Sequence, residues 1–104
     1  MKYRFHSSAN RRLNEIWQYT VERWGEEQTE KYIRGLFAVI EDKAEKRSLW
    51  RPVREEGLSG VYYFRDEHHL IFFRELKHGE LGVISILHEN MDLPRRLKED
   101  EMDG

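Results

Sequence analysis

Apolar positions recur along this chain with two different periods, and those periods predict the order of its elements. Lys2-Tyr3-Arg4-Phe5-His6 alternates basic and aromatic residues, the period-two pattern of a short strand with one face on the core. Ser7 or Ser8 then offers a helix N-cap. Leu13, Ile16, Trp17, Thr20, Val21 and Trp24 follow at spacings of three and four, which stacks them on one face of a helix that Gly25 can end in a left-handed conformation. Glu26 and Glu27 suit the positive end of a second helix dipole, and Tyr32, Ile33, Leu36, Phe37, Ile40 and Ala44 repeat the same spacing. With so short a connection the two helices should form an antiparallel hairpin, Trp17, Trp24 and Phe37 marking its contact.

Leu49-Trp50-Arg51-Pro52 breaks the helical period, because proline disfavours helix in the residue before it, and a loop is expected to about Gly60. Val61-Tyr62-Tyr63-Phe64-Arg65 and His69-Leu70-Ile71-Phe72-Phe73-Arg74 are aromatic and β-branched runs separated by Asp66-Glu67-His68, which predicts a hairpin. Lys77-His78-Gly79-Glu80 supplies the next turn, leading into Leu81 to Leu87. The last two strands are apolar on both faces, so they should be central and covered from more than one side. The expected fold class is α+β, in the order β-α-α-β-β-β, a helical hairpin packed on a small antiparallel sheet. The expected domain covers residues 1–97, followed by an acidic flexible tail over 98–104.

Composition narrows this picture. At 104 residues the chain forms one domain, able to bury roughly 60 to 70% of its unfolded surface. Charged residues nearly equal hydrophobic ones, 37% against 38%, so the surface is ion-rich, while three Trp, five Tyr and five Phe supply large core fillers. The absence of cysteine removes disulfides, thiolate metal sites and cysteine nucleophiles, and fits a reducing compartment. No segment reaches the roughly 18 to 20 apolar residues that span a bilayer, so a soluble cytoplasmic protein with no membrane partner is expected. Net charge is −2, from 18 Lys and Arg against 20 Asp and Glu. Without the last seven residues, which hold four acids and one Lys, the balance is 17 against 16, or +1. Neither value is the basic footprint of a chain that binds nucleic acid by neutralising phosphates.

Candidate chemistry is sparse. His6, His68, His69, His78 and His88 fall in no metal-ligand spacing, so neither a zinc site nor a cofactor is expected. Gly57-Leu58-Ser59-Gly60 lacks the lysine of a phosphate loop. Ser59 has no evident base, and Ser85 sits inside an apolar strand. Arg54, Arg65, Arg74 and His88 form the more serious group, since cations on neighbouring strands with one imidazole are what a metal-free ribonuclease requires. The competing reading leaves those arginines solvated or paired with surface acids. Trp50, beside proline in a loop, has no periodic reason to be buried and is a candidate partner anchor.

Three strings carry a likeness to a known family. Trp24-Gly25-Glu26-Glu27-Gln28 with Tyr32, then His69-Leu70-Ile71-Phe72-Phe73-Arg74, and then Ile86-Leu87-His88-Glu89-Asn90-Met91-Asp92 together resemble the ParE branch of the RelE/ParE toxin superfamily. Leu13-Asn14-Glu15-Ile16-Trp17-Gln18-Tyr19 is similar to that family's first helix, and the likeness spans about residues 3–97. It implies the toxin of a type II toxin-antitoxin pair, which binds and inhibits DNA gyrase without being an enzyme. It also implies neutralisation in a hetero-oligomer with a ParD-like, ribbon-helix-helix antitoxin. The alternative is a RelE-type, ribosome-dependent mRNA endoribonuclease using Arg54, Arg74 and His88. Tyr62 and Tyr63 stand where ParE sequences often carry basic residues, which removes cations a nuclease would want. Candidate gyrase-binding residues are His88, Met91, Asp92, Arg95 and Arg96; candidate antitoxin anchors are Trp17, Trp24, Tyr32 and Trp50.

Overall fold

The apolar runs after Val61 meet in a sheet with a hydrophobic cluster on each face. The computed structural model describes residues 3–103. Five strands, β1 (Tyr3–Phe5), β2 (Arg51–Pro52), β3 (Val61–Asp66), β4 (His69–Glu75) and β5 (Leu81–His88), lie in the order β1-β5-β4-β3-β2. β3, β4 and β5 form an antiparallel meander with Phe64 opposite Ile71 and Ile71 opposite Ile86. β1 instead runs parallel to β5, with Tyr3 opposite Leu81, so the sheet is mixed rather than antiparallel. The reason lies in the connection: a long helical crossover allows a strand to return parallel, which a tight turn does not. Lys2, placed in the first strand by its alternation, lies outside the described residues.

The helical segment α1 (Ser7–Ala44) is broken at Gly25, whose φ of 83° and ψ of 170° are not helical. An unbroken helix of 38 residues would run about 57 Å at 1.5 Å per residue. The longest dimension of the molecule is 38 Å, so the two arms, residues 7–24 and 26–44, fold back on each other as expected. Neither serine caps the segment. His6 is the extended N-cap without a side-chain bond, and the Ser8 hydroxyl donates instead to the Ile84 carbonyl of β5 at 2.6 Å, tying the first turn to the sheet.

Leu36, Ile40 and Ala44, four residues apart, bury against Phe64, Ile71, Phe73, Val83 and Ile86 on the hairpin side of the sheet. The hairpin's far end is less covered: Phe37 packs on Phe5 at 5.6 Å, while Trp24 remains 69% exposed and so does not mark the contact between the arms. On the opposite face Leu58, Val61, Leu70, Phe72, Ile84 and Leu87 form a second cluster closed by Leu97. Leu97 belongs to α2 (Leu93–Asp103). This corrects the expectation of an acidic flexible tail: residues through Asp103 are helical, and Gly104 lies outside the described residues. Leu93 and Leu97, one turn apart, anchor that helix, Pro94 sits in its first turn where no amide partner is needed, and Asp100 is fully buried.

Candidate interaction surfaces

The register of β4 decides the first question, whether Arg54, Arg74 and His88 converge. Arg74 lies opposite Gly82, whereas His88 lies opposite His69. Five residues of β4 separate Arg74 from His69, about 17 Å of strand, so the guanidinium and the imidazole stand at opposite ends of the sheet. Arg74 is also committed to α2, its Nη2 donating to Glu101 Oε1 at 3.1 Å. Arg54 lines a groove on the α2 side of the sheet. His88 shares the hairpin side with its cross-strand partner His69, which meets Tyr32 of the second helical arm.

The His88 end is nevertheless a distinct polar cluster. Tyr32 Oη and His69 Nδ1 are 2.6 Å apart, and the His69 ring meets the His88 ring edge-on at 5.4 Å. Burial, reinforced by the neighbouring His88 and His68, lowers the His69 pKa to about 4, so its ring is neutral at neutral pH. Burial likewise pushes the Tyr32 hydroxyl up to about 12, with Asp66 and Glu67 adding to the effect. Tyr32 is therefore protonated, and the pair is a neutral hydrogen bond between hairpin and sheet. Outside it, Glu89 accepts from Arg65 at 2.5 Å and lies 3.0 Å from His68 Nδ1, contacts that hold its carboxyl below the usual range. The Asn90 amide donates to His88 Nδ1 at 3.1 Å, which assigns that nitrogen as an acceptor.

Beyond β5 the chain turns into α2. Met91 packs against the second core cluster, while Asp92 and Arg95 are exposed. Arg95 and Arg96 each stand 3.8 Å from Glu99, loose contacts on a solvated face.

The four proposed anchors divide. Trp17 is half-buried on the first arm and Trp24 exposed at the hairpin tip; Tyr19, between them in sequence, is exposed as well. Tyr32 is held by His69. Trp50, expected from its loop position to have no reason for burial, is partly buried: it meets Phe73 edge-on at 4.8 Å and Tyr62 at 5.7 Å, and its Nε1 donates to the Lys43 carbonyl at 3.1 Å. Its ring closes the sheet edge over the core, and Arg47 covers it at 4.7 Å. Period arguments miss such a residue because it is partly buried from a loop, not by a repeating face.

Two features have no counterpart in the sequence reading. One is the buried carboxylate of Asp100, which accepts from Arg12 Nε at 2.8 Å, from Arg11 Nη2 at 2.6 Å and from Ser85 Oγ at 2.6 Å. That accounts for Ser85 as a structural donor, and the Asp100 hydrogen bond raises the pKa of Arg12. The other is a groove of about 660 Å³ between β2, β3 and α2, rimmed by Arg51 and Arg54.

The α+β fold of a helical hairpin on a mixed sheet is shared with chains of two solved toxin-antitoxin structures. A chain of the chromosomal ParDE system of P. aeruginosa superposes with a TM-score of 0.70 at 20% identity, covering 85% of this chain and 95% of that one. A chain of the RelBE2 toxin-antitoxin complex of Mycobacterium tuberculosis gives 0.58 at 17% identity, covering 84% and 95%. In sequence, the chain is 32% identical over 96 residues to Toxin ParE1 of Mycobacterium tuberculosis, 92% of this chain and 97% of that protein. It is 35% identical over 91 residues to Toxin ParE1 of Caulobacter vibrioides, 86% and 91% of the respective chains. Residues 3–93 match the family described as the ParE toxin of the type II toxin-antitoxin system parDE. The chain belongs to that family of type II toxins.

Proposed function

We propose that this toxin acts in the cytoplasm by binding DNA gyrase and inhibiting it, and that a cognate ParD-like, ribbon-helix-helix antitoxin holds it inactive in a hetero-oligomer. Family membership supports the antitoxin partner. The observation that favours a binder over an enzyme is the separation of Arg54, Arg74 and His88 across the sheet. Cleaving RNA without a metal needs a proton acceptor and a cation at one phosphate, whereas here the imidazole and the groove arginines lie on different faces. The proposed gyrase-binding surface is the segment His88 to Arg96, which leaves the central strand β5 and presents Asp92 and Arg95 to solvent.

Purified gyrase tests this directly. Adding the toxin should block supercoiling, and adding the antitoxin should restore it. Translation-coupled mRNA cleavage with gyrase unaffected would refute the binding reading in favour of a RelE-type ribonuclease.

A further inference from the structure

The chain leaves β5 through a turn held by a bond that one proton can reverse. His88, half-buried at the end of the strand, accepts the Asn90 amide at Nδ1 at 3.1 Å, and its carbonyl accepts the Met91 amide at 3.0 Å. These two contacts close the turn that leads into α2. An imidazole nitrogen accepts only while it is unprotonated; in the imidazolium both ring nitrogens carry hydrogen and donate. A proton on His88 Nδ1 therefore sets one N–H against another and cancels the side-chain half of the turn. Imidazole is also the side chain that ordinarily changes charge between about pH 5 and 8.

The groups around the ring favour the same release. His88 lies edge-on to His69 of β4 at 5.4 Å and stacks on His68 of the β3–β4 turn at 6.0 Å, so a charge on it meets two more ionisable rings. His69 stays neutral until about pH 4, held down by burial and then by the two neighbouring rings, and its Nδ1 is taken by Tyr32 of the second helical arm. Glu89 is committed to His68 and to Arg65 of β3. Asp66, opposite His69 in the ladder, and Glu67 act on Tyr32, and Lys43 reaches the Arg65 carbonyl from the same helical arm. No described carboxylate is bonded to His88 itself, so the charged ring gains no ion pair in exchange for the Asn90 contact. We propose that the turn from His88 to Met91 is a pH-sensitive latch: neutral His88 holds the Asn90 amide, and protonation of that ring releases it and loosens the segment carrying Met91, Asp92 and Arg95. Its use as regulation rests on the reading that this segment contacts gyrase; mild acid then weakens the toxin's hold without unfolding the domain.

NMR on the wild-type toxin reads the latch, following protonation of the His88 ring and the exchange of the Asn90 amide, corrected for its intrinsic rate, from pH 7.5 to 5.5. Asn90 protection should fall at least about fivefold with the midpoint of the His88 ring. Ile71, in central strand β4 and paired with Phe64 and Ile86, should keep its protection. His88→Asn, whose amide oxygen can accept in place of Nδ1 but does not titrate, should flatten the Asn90 profile. His68→Gln, at an exposed position, should leave that profile as in the wild type. The wild-type titration decides alone if His88→Asn does not fold. An Asn90 profile that ignores the His88 ring, or that vanishes in His68→Gln, overturns the latch. So does loss of Ile71 protection in step with Asn90, which marks unfolding of the whole domain. Supercoiling assays read the consequence: from pH 7.5 to 6.0 the toxin concentration for half-inhibition of gyrase should rise at least about threefold more for wild type than for His88→Asn. Release of Asn90 without that difference overturns the regulatory role. Failure of the wild type to inhibit gyrase at any pH overturns the gyrase reading, and the NMR result still decides the latch.

Discussion

Replacing Asp100 with alanine should cost the fold more than any other single change in α2. The carboxylate is fully buried and accepts from two arginines and a serine, at 2.6 to 3.1 Å. No buried side-chain nitrogen or oxygen among the described residues lacks a partner in the native structure. After truncation Arg11, whose side chain is 47% exposed, can turn to water, but Arg12, at 8%, cannot, and its remaining contact, Nη1 to Glu15 Oε1 at 3.0 Å, leaves the Nε and Nη2 donors that met Asp100 without an acceptor. Removing one member of a buried ion pair and leaving the other uncompensated costs about 3–5 kcal/mol. For a domain of this length each kcal/mol moves the midpoint by about 4–8 °C, so the variant should melt at least roughly 12 °C, and up to about 40 °C, below the wild type. Thermal unfolding followed by circular dichroism and tryptophan fluorescence measures this, with Glu99→Ala as a solvated control expected within about 3 °C. A fall in D100A no larger than the control's would refute the account of α2 as a packed helix and restore the picture of a frayed acidic end.

Further expectations follow from single residues. Gly25→Ala should lose about 1–3 kcal/mol in urea unfolding, because φ of 83° with ψ of 170° is strained for an L side chain although the space around it is open. Trp50→Ala should lose about 2–4 kcal/mol in the same unfolding assay, since its ring packs on Phe73 and Tyr62. His69 has a folded pKa of about 4 against an ordinary 6.5. Its contribution to stability is thus present above pH 6.5 and is lost as pH falls through about 4, because the unfolded chain takes up the proton first. The wild type should lose stability across that window by up to about 1.4 kcal/mol per pH unit more than His69→Gln, and parallel pH profiles for the two proteins would disprove the assignment.

What the sequence disclosed and what it hid divide along a physical line. Strong periodicity marked the second helical arm and β3 to β5, which bury a repeating face or lie largely inside, and it marked the first arm too, although its stripe is only half-buried and the residues that arm buries fully are Ser8, Ala9 and Arg12. Gly25 marked the fold-back, because a residue with no Cβ is the cheapest place for positive φ. β2 was invisible: two residues including a proline carry no period, and its pairing to Tyr62 and Tyr63 is fixed by the loop around it. The parallel direction of β1 was equally hidden, since alternation reports which face is buried and not which neighbour a strand takes. Asp100 was hidden by its company, four acids in seven residues, where composition describes the solvated majority and conceals the one carboxylate that meets Arg11 and Arg12. Leu93, Pro94 and Leu97 were the available signal that a helix, not a tail, closes the chain.

That closing helix also determines which tests of gyrase binding can be interpreted. His88, Met91, Asp92, Arg95 and Arg96 were grouped by their place after β5, but the structure gives them unequal structural duties. His88 packs against His69 and holds the Asn90 amide, and Met91 contacts the second core cluster, so changing either perturbs the fold as well as the surface. Arg96 is only partly exposed. Asp92 and Arg95 are exposed, and Arg95 has nothing nearer than a loose 3.8 Å contact with Glu99. An exposed pair of that kind contributes about 0–1 kcal/mol, and Asp92 directly precedes α2 with its carbonyl accepting from the Arg96 amide at 3.0 Å, so Asp92→Asn, which keeps a capping side chain, with Arg95→Glu should leave the melting midpoint within about 5 °C of wild type. If the segment contacts gyrase, that double variant should need at least about tenfold more toxin to block supercoiling, because reversing one charge and deleting another at a protein interface slows association and weakens the complex. Full inhibition by a double variant with wild-type stability would move the gyrase contact away from α2, and the first arm, with exposed Tyr19 and Trp24, would become the next surface to test.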